Sequence, residues 1–336
     1  MQTNIMVWIT FLLSAAVVVI VAVKLAEYGD VIAVRTRLGG VFVGTIFLAG
    51  ATSLPELMAS ISSFQAGLPN LAAGNLFGSN MVNVLLLAVV DLLTFQVPLM
   101  RKVAISHALT ATLATILMLM AAISILADFH STIGWVGTDS LVIILIYFGG
   151  IWLIQRETKG PSSVPAPVAA EPGPEFPSLL KGIIGFSVSA LVLVLVVPLL
   201  VDASSEIAVI TGMGTGFVGT AILSVITSLP ELLAAIAAVR IGAYDMAVGN
   251  LFGSSVFNML GVGIADFFYT DGRFLAAIDP NFALVALLGM LLTNMALLGN
   301  LARVERKILF MELDTLAIIL VYIFGMYLLF SRGVGL

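Results

Sequence analysis

The sequence predicts an all-α integral membrane protein: ten transmembrane helices arranged as two inverted five-helix repeats. Three observations carry this prediction. Of 336 residues, 60% are hydrophobic and only 10% are charged. A soluble domain carries about 25% charged residues, so this chain cannot cover a water-exposed surface. Apolar runs long enough to cross a bilayer recur ten times along it. The two halves repeat each other at one fixed offset, and each holds an odd number of runs. The same composition excludes other classes. A net charge of −5 with no basic block argues against nucleic-acid binding. The absence of Cys removes disulfides, thiolate metal sites and Cys nucleophiles, and two His residues are too few for a His-rich transition-metal site.

The first run, about 5–23, is uncharged. No basic segment precedes it and no clear small-residue cleavage site follows, so it is expected to be a retained helix and not a signal peptide. Runs at about 40–66, 68–94, 103–127 and 137–154 complete the first repeat, 1–155. The second repeat, 181–336, holds runs at about 182–201, 214–239, 244–269, 281–300 and 309–330. Residues 156–180 between them are rich in Pro, Ser, Ala and Glu with no apolar period, which reads as a flexible or extended linker. With the N-terminus outside, all Lys and Arg residues except Arg273 and Arg332 fall on the cytoplasmic side. The positive-inside rule then predicts a cytoplasmic linker and two extracytoplasmic termini, in the cell (inner) membrane.

The repeat is explicit. TSLPEL occurs at 52–57 and 227–232, and GNLFGS at 74–79 and 249–254. Asn83 pairs with Asn258 and Asp91 with Asp266, always at an offset of 175. The same offset pairs Gly44 with Gly219, Thr45 with Thr220, Glu27 with Asp202, Asp139 with Asp314 and Tyr147 with Tyr322. Five spans per half force the second half into the membrane upside down. This is an architecture of secondary transporters, whose site lies near the midplane where the repeats meet.

Glu56 and Glu231 fall inside the second and seventh spans. An ionisable group there costs at least about 2.5–3.5 kcal/mol, and no Lys or Arg shares these stretches. A bound cation is the natural compensation; a protonated Glu serving only helix packing is the plainer alternative. Pro55 and Pro230 precede the glutamates and deprive the carbonyls of Ala51 and Ile226 of their helical partners. Thr52, Ser53, Thr227 and Ser228 add hydroxyls at the break. An oxygen-rich, unwound half-helix beside a carboxylate is what hard cations require, although a lone proline kink would mean only a bend. On the next span Asn75, Ser79 and Asn83 share one helical face, as do Asn250, Ser254 and Asn258. Interhelical hydrogen bonding is the alternative reading, strongest for Asn75 and Asn250. Gly74 and Gly78, like Gly249 and Gly253, allow close helix approach.

Other polar groups are expected to be structural. Asp139 and Asp314 begin spans and read as N-caps. Glu27, Asp202, Asp91 and Asp266 lie near span ends and read as solvated. His107 and His130 read as surface residues, the Met residues as packing, and Trp135 and Tyr269 as interface anchors.

These motifs resemble the cation/calcium exchanger superfamily, especially the prokaryotic sodium/calcium exchangers. The resemblance rests on two alpha-repeats, 44–91 and 219–266, holding TSLPEL with GNLFGSNMVN and TSLPEL with GNLFGSSVFN. It implies four clustered ion sites between the second, third, seventh and eighth spans, with Glu56 and Glu231 as central ligands. The carbonyls of Thr52 and Thr227 would complete a calcium site. Ser53, Ser79, Asn83, Ser228, Ser254 and Asn258 would serve sodium or water-mediated contacts, and the carbonyls of Ala49 and Ser224 two sodium sites. Two departures from the family pattern stand out. Ala51 and Ile226 replace the usual Gly before Thr-Ser, and Asn258 stands where some prokaryotic relatives have Asp, leaving two carboxylates.

The implied function is Na+/Ca2+ antiport by alternating access, with the first and sixth spans moving against the rest. The expected partners are Ca2+, Na+ and the lipid bilayer; the protein is expected to act as a monomer, with no enzymatic activity and no organic cofactor. H+/Ca2+ antiport is the alternative, as is Na+-coupled exchange of Mg2+ or Mn2+. An intramembrane aspartyl protease would need Asp in its own motifs, and a channel a continuous pore.

Overall fold

The structure, a computed structural model, describes residues 2–36, 48–94, 106–129, 131–158, 177–302, 307–308 and 311–335. Gly44, Thr45, His130 and most of the linker lie outside these. Nine helices among the described residues are long and apolar enough to cross a membrane. The span expected over 40–66 begins outside the described residues. Its remainder is helical over 48–52 and again in α2, Leu54–Gln65.

The other helices of the first half are α1 (Gln2–Arg35), α3 (Pro69–Leu93), α4 (Ser106–Ala127) and α5 (Thr138–Thr158). The second half opens with α6 (Leu179–Thr211). The seventh span is segmented: α7 (Thr215–Val218), a π-helical turn (Gly219–Leu223), α8 (Ser224–Thr227) and α9 (Leu229–Arg240). Then come α10 (Tyr244–Ala265), the short α11 (Phe274–Ala277), α12 (Phe282–Ala302) and α13 (Leu313–Ser331). Element starts obey the repeat to the residue: α2 and α9, α3 and α10, and α5 and α13 each begin 175 apart. So do two short antiparallel hairpins. One pairs Thr132 with Gly137 and Ile133 with Val136; the other pairs Lys307 with Glu312 and Ile308 with Met311.

The interior divides in two. A large apolar cluster fills the space among α3, α4, α5, α9, α10, α12 and α13, with Phe77, Met81, Met118, Phe274 and Phe282 fully buried. A second cluster runs along α1 and α6, which pack lengthwise on each other, and includes Ala51, Leu71, Val218 and Leu223. At 34 and 33 residues, α1 and α6 are each about 50 Å long, well beyond the ~30 Å hydrocarbon core. They run past the expected ends, 23 and 201, because the following polar turns stay helical. Glu27 and Asp202 there are exposed as expected, Glu27 in a 2.6 Å pair with Lys24.

Several structural expectations are corrected. Asp91 and Asp266 are buried, not solvated. The elements beside the hairpins fold over them, so nearness to a span end in sequence did not mean exposure. Asp91 Oδ2 accepts the Thr315 hydroxyl at 2.6 Å. Asp266 accepts the backbone N–H of Gly137 and of Phe274, both at 2.6 Å. Asp139 is no N-cap. It lies inside the first turn of α5, buried, and Oδ2 pairs with Arg273 Nη2 at 2.8 Å. Asp314 likewise sits within the first turn of α13, whose N-cap position is Glu312. His107 is largely covered, with Nε2 3.5 Å from Asp245 Oδ1. Trp135 is half exposed, and its indole N–H donates to Phe267 O at 3.2 Å.

Candidate functional site

α3 and α10 are the most enclosed spans among the described residues, and they cross at the centre of the molecule with α2, α8 and α9 beside them. Glycine makes the crossing close. A Cβ at Gly74 would strike Gly216 O and lie 2.9 Å from Gly219 Cα. A Cβ at Gly78 would lie 2.7 Å from Thr220 Cα. The backbones of α3 and the π-helical turn therefore touch, and the sequence reading of small residues for close approach holds in the first repeat.

The break in each glutamate-bearing span is a single residue. Ser53 (φ −90°, ψ 7°) and Ser228 (φ −89°, ψ 2°) adopt the same bridge conformation, with Pro in the first turn of the helix that follows. The unwinding expected from sequence is thus compact. A π-helical turn precedes it in the seventh span, a feature that often marks functional sites. Glu56 and Glu231 occupy the first turns of α2 and α9, where exposed helix N–H groups favour negative charge.

The two repeats cross at the carboxylates. Ser228 donates to Glu56 Oε1 at 3.0 Å, and Ser53 donates to Glu231 Oε1 at 2.9 Å. Each glutamate is therefore held by the other repeat's serine. Asn75 Nδ2 donates to Glu56 O at 2.9 Å, and its Oδ1 accepts the Thr227 hydroxyl at 3.0 Å. This is the interhelical hydrogen-bonding alternative, realised in one repeat. Its mate Asn250 is equally buried with neither amide atom partnered among the described residues. Thr52, the mate of Thr227, instead bonds Ala49 O at 3.1 Å and lies 3.4 Å from Ser254 Oγ.

The twelve expected site residues, Ala49, Thr52, Ser53, Glu56, Ser79, Asn83, Ser224, Thr227, Ser228, Glu231, Ser254 and Asn258, are each no more than 1% exposed. Most belong to the crossing bonds just described. The carbonyls of Ala49 and Ser224 are already engaged: each accepts a backbone N–H (Ser53 and Ser228, both 3.0 Å) and a Thr hydroxyl. Five side-chain oxygens of these twelve residues have no partner among the described residues: Glu56 Oε2, Glu231 Oε2, Ser79 Oγ, Asn83 Oδ1 and Asn258 Oδ1. Buried polar atoms are almost always hydrogen-bonded. Carboxylate, hydroxyl and amide oxygens of this kind are the donor types that hard cations take. No described Lys or Arg pairs with either glutamate.

The sequence reading missed Asn80 and Ser255. They are repeat mates and fully buried, and they contact Asn258 and Asn83 across the interface. The offset of 175 could have flagged them; their difference in residue type hid the correspondence.

A membrane-embedded inverted repeat closing on paired carboxylates is the architecture of a cation transporter, and comparison with known proteins narrows the class. The chain belongs to the Sodium/calcium exchanger protein family, whose profile matches residues 6–154 and 181–332, and thus to the cation/calcium exchanger superfamily of membrane antiporters. It is 27% identical over 334 residues to the putative antiporter CaxA of Alkalimonas amylolytica, covering 96% of this chain and 98% of that one. Among solved structures it resembles the H+/Ca2+ exchanger CAX, with a TM-score of 0.71 and 17% identity over 97% of this chain and 85% of that one. It also resembles the sodium-calcium exchanger NCX_Mj, with a TM-score of 0.61 and 20% identity over 96% and 98%.

Proposed function

We propose that this protein is a secondary active antiporter exchanging Na+ for Ca2+ by alternating access at the paired glutamates. The observation that carries the reading is the crossed pair of buried glutamates, each held by the other repeat's serine and each with one carboxylate oxygen left open. The two carboxylates bring a charge of −2 into a buried site, which is expensive when empty. One Ca2+ neutralises it, and so do two Na+ on the same oxygens, so the ions exclude each other. The calcium ligands are Glu56 and Glu231 with the carbonyls of Thr52 and Thr227. Ser53, Ser79, Asn83, Ser228, Ser254 and Asn258 serve sodium, directly or through water, with the Ala49 and Ser224 carbonyls released from their present bonds.

H+/Ca2+ antiport is the competing reading, because a proton on each free carboxylate oxygen also neutralises the site. The fold resemblance covers exchangers of both kinds and does not choose between them. Ser79 Oγ, Asn83 Oδ1 and Asn258 Oδ1 support sodium, since protons need no such coordination. Na+-coupled exchange of Mg2+ or Mn2+ is a third reading of the same site. Alternating access is supported by the apolar cluster through which α1 and α6 pack on α2, α3 and the seventh span, a contact surface without ion pairs among the described residues that suits sliding of that pair against the rest. A cavity of about 340 Å³ between the start of α1, Leu68, the end of α6 and Thr215 carries Glu206. In the orientation set by the basic residues it opens to the outside, with both termini extracytoplasmic in the cell membrane.

Uptake of radiolabelled calcium into proteoliposomes loaded with Na+, beside a pH-gradient control without Na+, tests the proposal. Uptake driven by the outward Na+ gradient is expected; uptake driven only by the proton gradient would install the competing reading. Glu56→Gln and Glu231→Gln should each abolish uptake without loss of expression. Near-normal transport by both would overturn the site.

A further inference from the structure

We infer that Asn80 and Ser255 are positioning residues that decide which atom of the Asn258 and Asn83 amides faces the transported ion. The inference rests on the cation-site reading proposed for Glu56 and Glu231. The four residues form two crossed pairs related by the repeat. Asn83 Nδ2 donates to Ser255 Oγ at 3.4 Å, and Asn258 Nδ2 donates to Asn80 Oδ1 at 3.4 Å. All four are no more than 1% exposed.

The direction of each bond follows from what the positioning residue does on its other side. A serine hydroxyl carries one proton. That of Ser255 goes to Leu251 O at 3.1 Å, so towards Asn83 the hydroxyl can only accept. The Asn80 amide nitrogen donates to Met259 Sδ at 3.1 Å, which turns Asn80 Oδ1 towards Asn258. Both outer amides are therefore caught by their nitrogen. The oxygen of each, Asn83 Oδ1 and Asn258 Oδ1, is the atom left without a partner.

An amide is nearly the same shape either way round, but its two ends have opposite chemistry. With oxygen inward it adds a ligand to the cation set. With nitrogen inward it would point N–H groups at the ion and remove that ligand. Asn80 and Ser255 reach one outcome with different side chains, a carboxamide in one repeat and a hydroxyl in the other. Each is an acceptor with its own donor already committed.

Calcium titration calorimetry on the purified full-length protein tests this. Asn80→Leu and Ser255→Ala should each weaken calcium binding about tenfold, the loss of roughly one oriented hydrogen bond. Asn80→Ser should keep affinity within about twofold of the original, because a hydroxyl accepts there as Ser255 does in the other repeat. The decisive comparison uses an Asn258→Asp background, in which a carboxylate presents oxygen whichever way it turns. There Asn80→Leu should lose its effect, while Ser255→Ala, acting on Asn83, keeps it. An equal penalty for Asn80→Leu in both backgrounds would mean a packing role and overturn the inference. So would unchanged affinity in Ser255→Ala, a change too small to threaten folding. If these variants bind normally while Glu56→Gln and Glu231→Gln do not, the inference fails and the site reading stands. If the glutamate variants also bind calcium normally, both fail.

Discussion

Gly78→Ala probes whether close backbone contact between α3 and the seventh span holds the site together. The added Cβ would lie 2.7 Å from Thr220 Cα, 2.8 Å from Thr220 O and 3.1 Å from Ser224 Cβ. Non-bonded carbons rest about 3.5–4.0 Å apart, so the two segments must part by about 0.8 Å. The first two contacts are backbone, so no rotamer change relieves them. Overpacking of this kind costs about 1–3 kcal/mol. The displaced segment continues through α8 to Thr227 and Ser228, whose hydroxyls reach Asn75 and Glu56 at 3.0 Å each. A further 0.8 Å or so would take both bonds past the limit of about 3.5 Å. Gly78→Ala should therefore lower the unfolding temperature in detergent and weaken calcium binding at least about tenfold. Gly149→Ala is the control, because nothing lies within 4 Å of a Cβ there. The measurements are thermal unfolding with and without calcium, and a calcium titration. Gly78→Ala behaving like Gly149→Ala in both would refute the close-packing account.

Two further outcomes follow from the same contacts. Ser53→Ala and Ser228→Ala should each destabilise the protein by about 1–3 kcal/mol, since each strips a buried glutamate of its hydroxyl donor. Thermal unfolding should show matching losses, and a loss in only one variant would contradict the crossed arrangement. Arg273→Met leaves Asp139, 3% exposed, with its 2.8 Å partner gone, which should cost about 3–5 kcal/mol. Adding Asp139→Asn should recover much of that stability, whereas Asp128, the arginine's exposed second partner at 3.3 Å, should matter little when mutated alone.

Hydropathy and the repeat made the membrane fold legible in the sequence. Two copies of TSLPEL and GNLFGS pointed to the candidate site, because a membrane-buried acid that recurs in both halves needs a counter-charge and no Lys or Arg shares its span. All twelve expected residues are buried at or beside the crossing. What stayed hidden depends on contacts between elements distant in sequence. Asp266 looked like a boundary residue because nothing local shows that Gly137 and Phe274 will wrap its carboxylate. Asp139 looked like a cap because its counter-ion Arg273 lies 134 residues away. The π-helical turn at Gly219–Leu223 has no composition signal of its own. The asymmetry between Asn75, bonded to Glu56, Ser60 and Thr227, and Asn250, unpartnered among the described residues, was out of reach in principle, because a repeat in sequence treats the two as equals.

The crossed serine–glutamate bonds bear on how such a chain could have arisen. Ser53 serves Glu231 and Ser228 serves Glu56, so neither half owns a finished site. A five-span ancestor carrying one TSLPEL and one GNLFGS would have had a polar, uncompensated face in the bilayer until it met a second copy inserted the other way up. The crossed bonds thus need two copies in opposite orientation, and with both copies in one chain they can differ at positions such as Asn80 and Ser255, where one surface need not match itself.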